Sequence, residues 1–341
     1  MDMKCITIAT FISKNEYENK KIYETINYLK KYFRVDVIIF SDNEMENKNK
    51  GIKTIITPKM TKYRRIQILL NEAESNDILC IDNDIEPNRE NILNFINKCL
   101  KVNYSIAWGK VKAQKTKGVI PKIINIDKNL SHDYIRPTLW KMNIGISLPG
   151  QIFMINKKYF KDKLPKIDTV YDDLMIGAVA REKHYPIFFV KEILGYEKPK
   201  KNIIELLQQR IRWAKGLAET IMYNRKNKVL PFILLHGFFF NLLWFPIYLI
   251  IFTLIKINLL LGLFMIALIS YLLTEKDIRE IIWSIMYMIV FPLVYVVWGI
   301  SLIYNLIKIY INNKKAKGSR LWTANLINYY KKQKNMQEKE S

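Results

Sequence analysis

The segment Ile78-Leu79-Cys80-Ile81-Asp82-Asn83-Asp84-Ile85-Glu86-Pro87 decides how the first half of this 341-residue chain is read. Four apolar residues in a row, bounded by Asp77 and Asp82, have the length and continuity of a strand buried on both faces. Such a strand belongs to a sheet covered by helices, so the flanking sequence should alternate between strand and helix. It does. Cys5–Phe11 reads as a strand, Glu16–Tyr32 as a helix, and the β-branched Val35–Phe40 as a second strand. Ile52–Ile56 is a third strand, and Ile66–Glu74 is a helix leading back to the segment itself. The expected fold class is α/β, a mostly parallel sheet with helices on both faces. Sheets of this kind bind ligands beyond the carboxyl ends of their strands, so the residues after Phe11, Phe40 and Ile81 are the first to inspect.

Asp82 and Asp84 lie two apart directly after a buried strand, a spacing that points both side chains the same way in extended backbone. Their oxygens suit Mg²⁺ or Mn²⁺, which fills its remaining positions with water and substrate phosphates. Asp and Asn are also ordinary turn formers, and Ser41-Asp42-Asn43 after the second strand reads as a turn by the same token. Arg65, near a helix start, is either a solvated charge or a diphosphate contact. Tyr171-Asp172-Asp173-Leu174 opens a helical segment, Leu174–Glu182. Two Asp residues there complement a helix N-terminus; alternatively, one carboxylate raises the proton affinity of the other and makes it a general base. Gln209-Arg210-Ile211-Arg212-Trp213 lies in a helical stretch, Ile203–Met222, just before the chain turns apolar. Arg and Trp there suit an interfacial anchor, and Gln209, Arg212 and Trp213 also suit a diphosphate beside a sugar ring.

The chain carries 54 Lys and Arg against 31 Asp and Glu, a formal charge of +23, mostly within residues 1 to 229. The basic residues are scattered without an aromatic-basic module, so no nucleic acid is expected. Anionic lipid headgroups and a phosphate-bearing substrate account for the charge. Three cysteines without a C-x-x-C pair exclude a disulfide framework and a thiolate zinc site. His132, His184 and His236 show no ligand spacing and read as structural, and Lys110–Lys122 reads as a solvated loop or a nucleotide entrance. Three apolar runs, 231–255, 257–273 and 281–307, approach or exceed the length that crosses a bilayer. The basic tail after residue 311 is expected in the cytoplasm by the positive-inside rule. The apolar stretch Ile6–Ile12 is too short for a secretory signal, so the first region is expected there too. Crossings then number two or four, with one run interfacial or with 281–311 folding back at Pro292 or Gly299.

In this order and spacing, the motifs resemble the membrane-embedded family 2 glycosyltransferases. Gln209-Arg210-Ile211-Arg212-Trp213 matches their Q-x-x-R-W signature, and the following Ala-Lys-Gly is similar to bacterial cellulose synthase. Asp172-Asp173 resembles the E-D or T-E-D base motif, Gly150 in Leu148-Pro149-Gly150-Gln151 the acceptor-side glycine, and Asp82-Asn83-Asp84 the D-x-D. Asp42 corresponds to the uracil-contacting carboxylate of the D-D-G-S turn, and Arg65, ahead of Asn71, to a nucleotide-contacting basic residue. The similarity spans roughly residues 3 to 220. Ser41 replaces the first acidic residue of that turn, and Thr10-Phe11-Ile12-Ser13 replaces the usual P-x-Y-N. Arg320-Leu321-Trp322-Thr323 faintly resembles the Trp-containing gating segment of the group.

The resemblance implies a cytoplasmic GT-A domain over residues 1–200 and an amphipathic interfacial region over 201–229. Transmembrane segments over 230–311 and a basic cytoplasmic tail over 312–341 follow. It places a multi-pass protein in the cell membrane, of the cellulose, hyaluronan and poly-N-acetylglucosamine synthase group. It implies an inverting transfer from a UDP-sugar to a growing cell-surface polysaccharide or glycan. Asp42, Arg65, Asp82, Asp84, Gln209, Arg212 and Trp213 bind the donor, Asp82 and Asp84 hold Mg²⁺ or Mn²⁺, and Gly150 and Trp213 meet the acceptor. Asp173 is the base and Asp172 supports it. Two alternatives stay open: a non-processive transferase acting on a polyprenyl-phosphate or lipid-linked acceptor, and a non-catalytic membrane subunit of a polysaccharide export complex. Either a homo-oligomer or an export subunit is compatible with this reading.

Overall fold

The computed structural model describes residues 3–13, 19–43, 51–114, 117–167, 169–274 and 277–315. Its strands are Cys5–Ile12 (β1), Arg34–Ser41 (β2), Ile52–Ile56 (β3), Asp77–Asp82 (β4), Ile85–Pro87 (β5), Ile106–Ala113 (β6), Ile152–Asn156 (β7) and Ile187–Glu197 (β8). They form one sheet in the order β3-β2-β1-β4-β7-β6-β8-β5. The half built from β1 to β4 is parallel, as the βαβ rhythm requires. β7 then inserts antiparallel between β4 and β6, and β5 pairs antiparallel with β8. The sheet is therefore mixed, which corrects the mostly parallel expectation. A sheet lined with helices on both faces leaves its strand direction open once loops are long enough to return.

Helices Lys20–Leu29 (α1), Lys62–Glu72 (α2), Arg89–Cys99 (α3), Val119–Asn129 (α4), Arg136–Lys141 (α5), Lys157–Phe160 (α6) and Asp172–Glu182 (α7) accompany the sheet. Alternate side chains of the central strands divide between two apolar layers. Ile78 and Cys80 of β4 face α2 and α7 through Ile66, Leu69, Met175 and Ile176. Leu79 and Ile81 face α1 and α3 through Ile22, Ile26, Ile92 and Phe95. The helix expected from Ile66 starts at Lys62, because the Thr61 side chain accepts from the Arg64 N–H and caps it. The expected helix start at Glu16 lies outside the described residues, as do the tail after residue 315 and its Arg320–Thr323 segment. The basic stretch Lys110–Lys122 is not a solvated loop throughout. Lys110 lies in β6 and pairs with Asp133, and Lys122 lies in α4 with its ammonium 4.0 Å over the Trp283 ring.

The remaining helices are Ile203–Asn224 (α8), Leu230–Gly237 (α9), Trp244–Ile257 (α10), Leu259–Leu273 (α11) and Ile281–Lys315 (α12). Residues 278–311 form a helix long and apolar enough to cross a membrane. α12 continues through Pro292, so this stretch does not fold back. Phe291, Val294, Tyr295 and Trp298 are buried, and this packing holds the helix across the N–H that proline lacks. The run 231–255 is bent by 49° between Leu230–Leu242 and Trp244–Ile257, and Leu259–Leu273 is shorter than a span. Among the described residues, then, one helix meets the length for a crossing, or two if the bent pair counts as one.

Candidate functional site

Strand ends set the first part of the site. Asp82 is the last residue of β4, and Asn83 and Asp84 form the turn into β5. Asn19, the N-cap of α1, braces that turn. Its Nδ2 donates to Asn83 O at 2.9 Å and Ile85 O at 2.7 Å, and its backbone N–H donates to Asn83 Oδ1 at 3.2 Å. The central Asn83, buried and held by two of these bonds, leaves Asp84 exposed and Asp82 half-buried beside it. Asp42, just beyond β2, accepts from the Lys59 N–H at 3.0 Å and from Arg65 Nη2 at 2.6 Å. The Arg65 side chain is 4% exposed and also donates to Ile12 O and Thr57 O, so it ties three strand ends together and orients Asp42. Sequence pointed to Arg65 as a nucleotide contact; in the fold its guanidinium is engaged with protein.

Lys62 lies at the centre of the site and escaped the sequence reading. Its Nζ is 2.6 Å from Asp82 Oδ1, 3.4 Å from Asp172 Oδ2 and 2.5 Å from Gly150 O. Burial works against its charge, but Asp172 and Asp82 outweigh it and hold its pKa above the ordinary lysine range. Asp82 is pushed up to about 7, by burial first and by Asp84 and Asp172 next, against the pull of Lys62.

Asp172 and Asp173 form the first turn of α7, next to the loop that carries Gly150. Asp173 is pushed up to about 7, chiefly by burial and then by Asp172, with Arg136 and the Leu174 N–H (2.8 Å) opposing. That value suits a base working near neutrality. Gly150 matters through its missing side chain, because a Cβ there would come 3.3 Å from the Asp173 Cβ. Gly216 of α8 plays the same part on the other side. A Cβ would come 2.8 Å from that of Tyr171, so only glycine lets α8 cross this close to the turn that carries Asp172 and Asp173.

Along α8, Gln209 and Trp213 are half-buried, Arg212 is exposed, and Arg210 is buried. Arg210 pairs with Asp127 of α4 at 2.6 Å, and its guanidinium covers one face of the Trp213 indole at 4.2 Å. Tyr287 and Tyr295 of α12 donate to the other oxygen of Asp127 at 3.1 and 3.0 Å. This network fastens the Q-x-x-R-W helix to the long apolar helix. Asp127 carried no signal in the sequence.

These groups line one cavity of about 580 Å³, which holds Asp42, Arg65, Lys62, Asp82, Asp84, Gly150, Asp172, Asp173, Gln209, Arg212 and Trp213 in its wall. The candidate donor-binding, acceptor, metal and base residues singled out from the sequence are therefore in the same place. His132 and His236, read as structural, line it too. Among the described residues no group of three or more His, Cys, Asp and Glu could close a metal cage. Asp82 and Asp84 offer oxygen donors alone, which suits Mg²⁺ or Mn²⁺ with water and phosphate completing the shell and disfavours a softer ion.

The sequence model of glycosyl transferase family group 2 matches residues 78–311. A mannosyltransferase from Pyrobaculum calidifontis, solved with GDP-Man and Mn²⁺, is similar in structure with a TM-score of 0.50 and 12% identity, over 89% of this chain and 88% of that one. Glucosyl-3-phosphoglycerate synthase from Mycobacterium tuberculosis, in complex with phosphoglyceric acid, is similar with a TM-score of 0.45 and 12% identity, over 63% of this chain and 79% of that one. No curated protein matches in sequence. At such identity the structural likeness is one of fold, a GT-A-like α/β fold with a mixed sheet.

Proposed function

This chain belongs to glycosyl transferase family group 2 and is a glycosyltransferase, and from that premise we propose that it moves a sugar from a UDP-linked donor, with inversion, to an acceptor hydroxyl at a membrane surface. One observation carries the reading. A carboxylate pair suited to a divalent cation, Asp82 and Asp84, shares a cavity with a carboxylate whose proton affinity is tuned to neutrality, Asp173. Asp42, oriented by Arg65, hydrogen-bonds the uracil. Asp82 and Asp84 would hold Mg²⁺ or Mn²⁺, which when bound neutralises charge developing on the departing diphosphate. The Mn²⁺ in the complex of the Pyrobaculum calidifontis mannosyltransferase supports such an ion here. Lys62 spans the gap between Asp82 and Asp172 and keeps both carboxylates in position. Asp173 takes the acceptor proton as the hydroxyl attacks, and Asp172 supports it. Gln209 and Arg212 close over the diphosphate, while the free face of Trp213 receives the acceptor sugar beside Gly150.

The reading takes the chain as a multi-pass membrane enzyme of the cellulose and hyaluronan synthase group with its catalytic domain in the cytoplasm; the one helix long and apolar enough to span a bilayer supports its membrane association. Residues 1–200 then form the transferase domain, 201–229 the interfacial region and 230–311 the membrane segments. A glycan or lipid-linked acceptor is expected. A lipid-linked one is favoured by a specific observation, namely that Phe239, Phe240 and Trp244 of the apolar helices form part of the cavity wall. Membranes containing the protein, incubated with labelled UDP-sugars, should transfer label only with Mg²⁺ or Mn²⁺ present. Asp84→Ala should abolish transfer without altering membrane insertion. Turnover near the wild-type rate in this variant, or in excess chelator, would refute the assignment.

A further inference from the structure

Four of the cations in the cavity wall have a carboxylate partner. Arg65 is 2.6 Å from Asp42, Lys62 2.6 Å from Asp82, Arg210 2.6 Å from Asp127, and Lys128 2.7 Å from Glu197. Arg136 of α5 is different. It is 9% exposed, its Nε donates to Ser147 Oγ at 3.4 Å, and its Nη1 has no hydrogen-bond partner among the described residues. No carboxylate there lies at ion-pair distance. The guanidinium is held between aromatic rings instead, 5.5 Å from the centre of Phe240 and 6.0 Å from that of Trp108. A buried guanidinium with no carboxylate in contact is costly, and an anion arriving from outside offsets that cost.

The surroundings of Arg136 are built for such an anion. His132 Nδ1 and both ring nitrogens of His236 also lack partners among the described residues, although the two residues are 7% and 3% exposed. The His236 ring lies 4.4 Å from that of Phe240, tilted by 37°. His132 lies in a π-helical turn, Leu130–Ile135, and Phe240 and Asn241 lie in another, Phe238–Leu242. π-turns are rare, and they concentrate at functional sites. Burial pushes Arg136 down to about 10, opposed chiefly by Asp173, so it stays charged at neutral pH. Burial, Arg136, Lys128 and Lys110 hold His132 well below its usual range, so it is a neutral donor or acceptor.

Order along the cavity identifies which substrate brings the anion. Asp82 has Lys62, Asp84 and Asp172 as its charged neighbours, whereas Asp173 has Asp172, Arg136 and, last, Lys62. Arg136 therefore lies on the Asp173 side of the cavity, where Asp173, and neither Asp82 nor Asp84, is the acidic group that acts on it most. Resting on the transferase reading above, the geometry points to a phosphate subsite for the acceptor, formed by Arg136 with His132 and His236. The acceptor is then a phosphate ester whose attacking hydroxyl, a few bonds away, reaches Asp173. The phosphate is held there and is not transferred. A planar guanidinium and flanking imidazoles match its oxygens.

The test uses the full chain in nanodiscs, with Mg²⁺ and labelled UDP-sugar. The acceptors are sn-glycerol 1-phosphate, phosphatidylglycerol, glycerol and diacylglycerol. We expect the phosphorylated member of each pair to be preferred at least tenfold in kcat/KM. Soluble against lipid phosphate then tells which source supplies the group. With UDP and Mg²⁺ saturating, sn-glycerol 1-phosphate should also bind the wild type at least tenfold more tightly than Arg136→Gln, with Arg136→Lys in between. UDP binding in the same samples checks that each variant is folded. Equal use of the neutral acceptors, or equal phosphate binding by folded Arg136→Gln, overturns the subsite and leaves the transferase reading standing. Absence of donor turnover with every acceptor and with water overturns that reading, while the binding titration still decides the subsite.

Discussion

Replacing the Asp173 carboxyl by an amide tests the base assignment through stability as well as rate. Asp173 is held at about 7 in the fold against 3.8 for an ordinary aspartate, chiefly by burial. A shift of that size corresponds to about 4 kcal/mol of differential stabilisation between its two protonation states. The sign follows from proton linkage. The folded chain binds this proton more tightly than the unfolded chain, so the associated stability is complete below the unfolded pKa and is lost as pH rises through the folded one. Asp173→Asn never carries the buried charge. It should exceed the wild type in stability by about 4 kcal/mol near pH 8, and the advantage should shrink by roughly 2–3 kcal/mol near pH 5. Denaturant unfolding in mild detergent at both pH values measures this. Transfer should move the other way, with kcat/KM of the wild type about tenfold below its plateau at about pH 6 and the Asn variant slower by about 10²–10⁴-fold. A wild-type rate flat from about pH 6 to 8, together with an Asn variant whose stability tracks the wild type at both values, would refute the reasoning.

Three further outcomes follow from the packing. At Gly177 in α7 a Cβ would come 1.7 Å from Ile146 O, so Gly177→Ala should destabilise the fold by about 3 kcal/mol, read by denaturant unfolding. Gly150→Ala should leave the fold intact but displace Asp173, lowering kcat by about ten- to a hundredfold in steady-state kinetics. Arg210→Met should cost about 3–5 kcal/mol by stranding Asp127, and Arg210→Met combined with Asp127→Leu should recover most of it in a thermal scan.

What was legible in the sequence is what a chain settles within a few residues. The βαβ alternation, the end of β4 at Asp82, the opening of α7 at Asp172 and the amphipathic α8 all follow from side-chain periodicity and short-range backbone preference. The residues those elements place at their ends were legible with them, and they do meet in one cavity. Tertiary structure decided what depends on which elements become neighbours. β7 enters antiparallel beside β4, and this brings Gly150 to Asp173 and Lys62 between Asp82 and Asp172. Asp127 finds Arg210 83 residues away and Tyr295 168 residues away. Arg136 and the two histidines face the cavity because helices distant in sequence close around it. No periodicity records such meetings, because the energy that selects them is shared by a whole packed layer and belongs to no single segment.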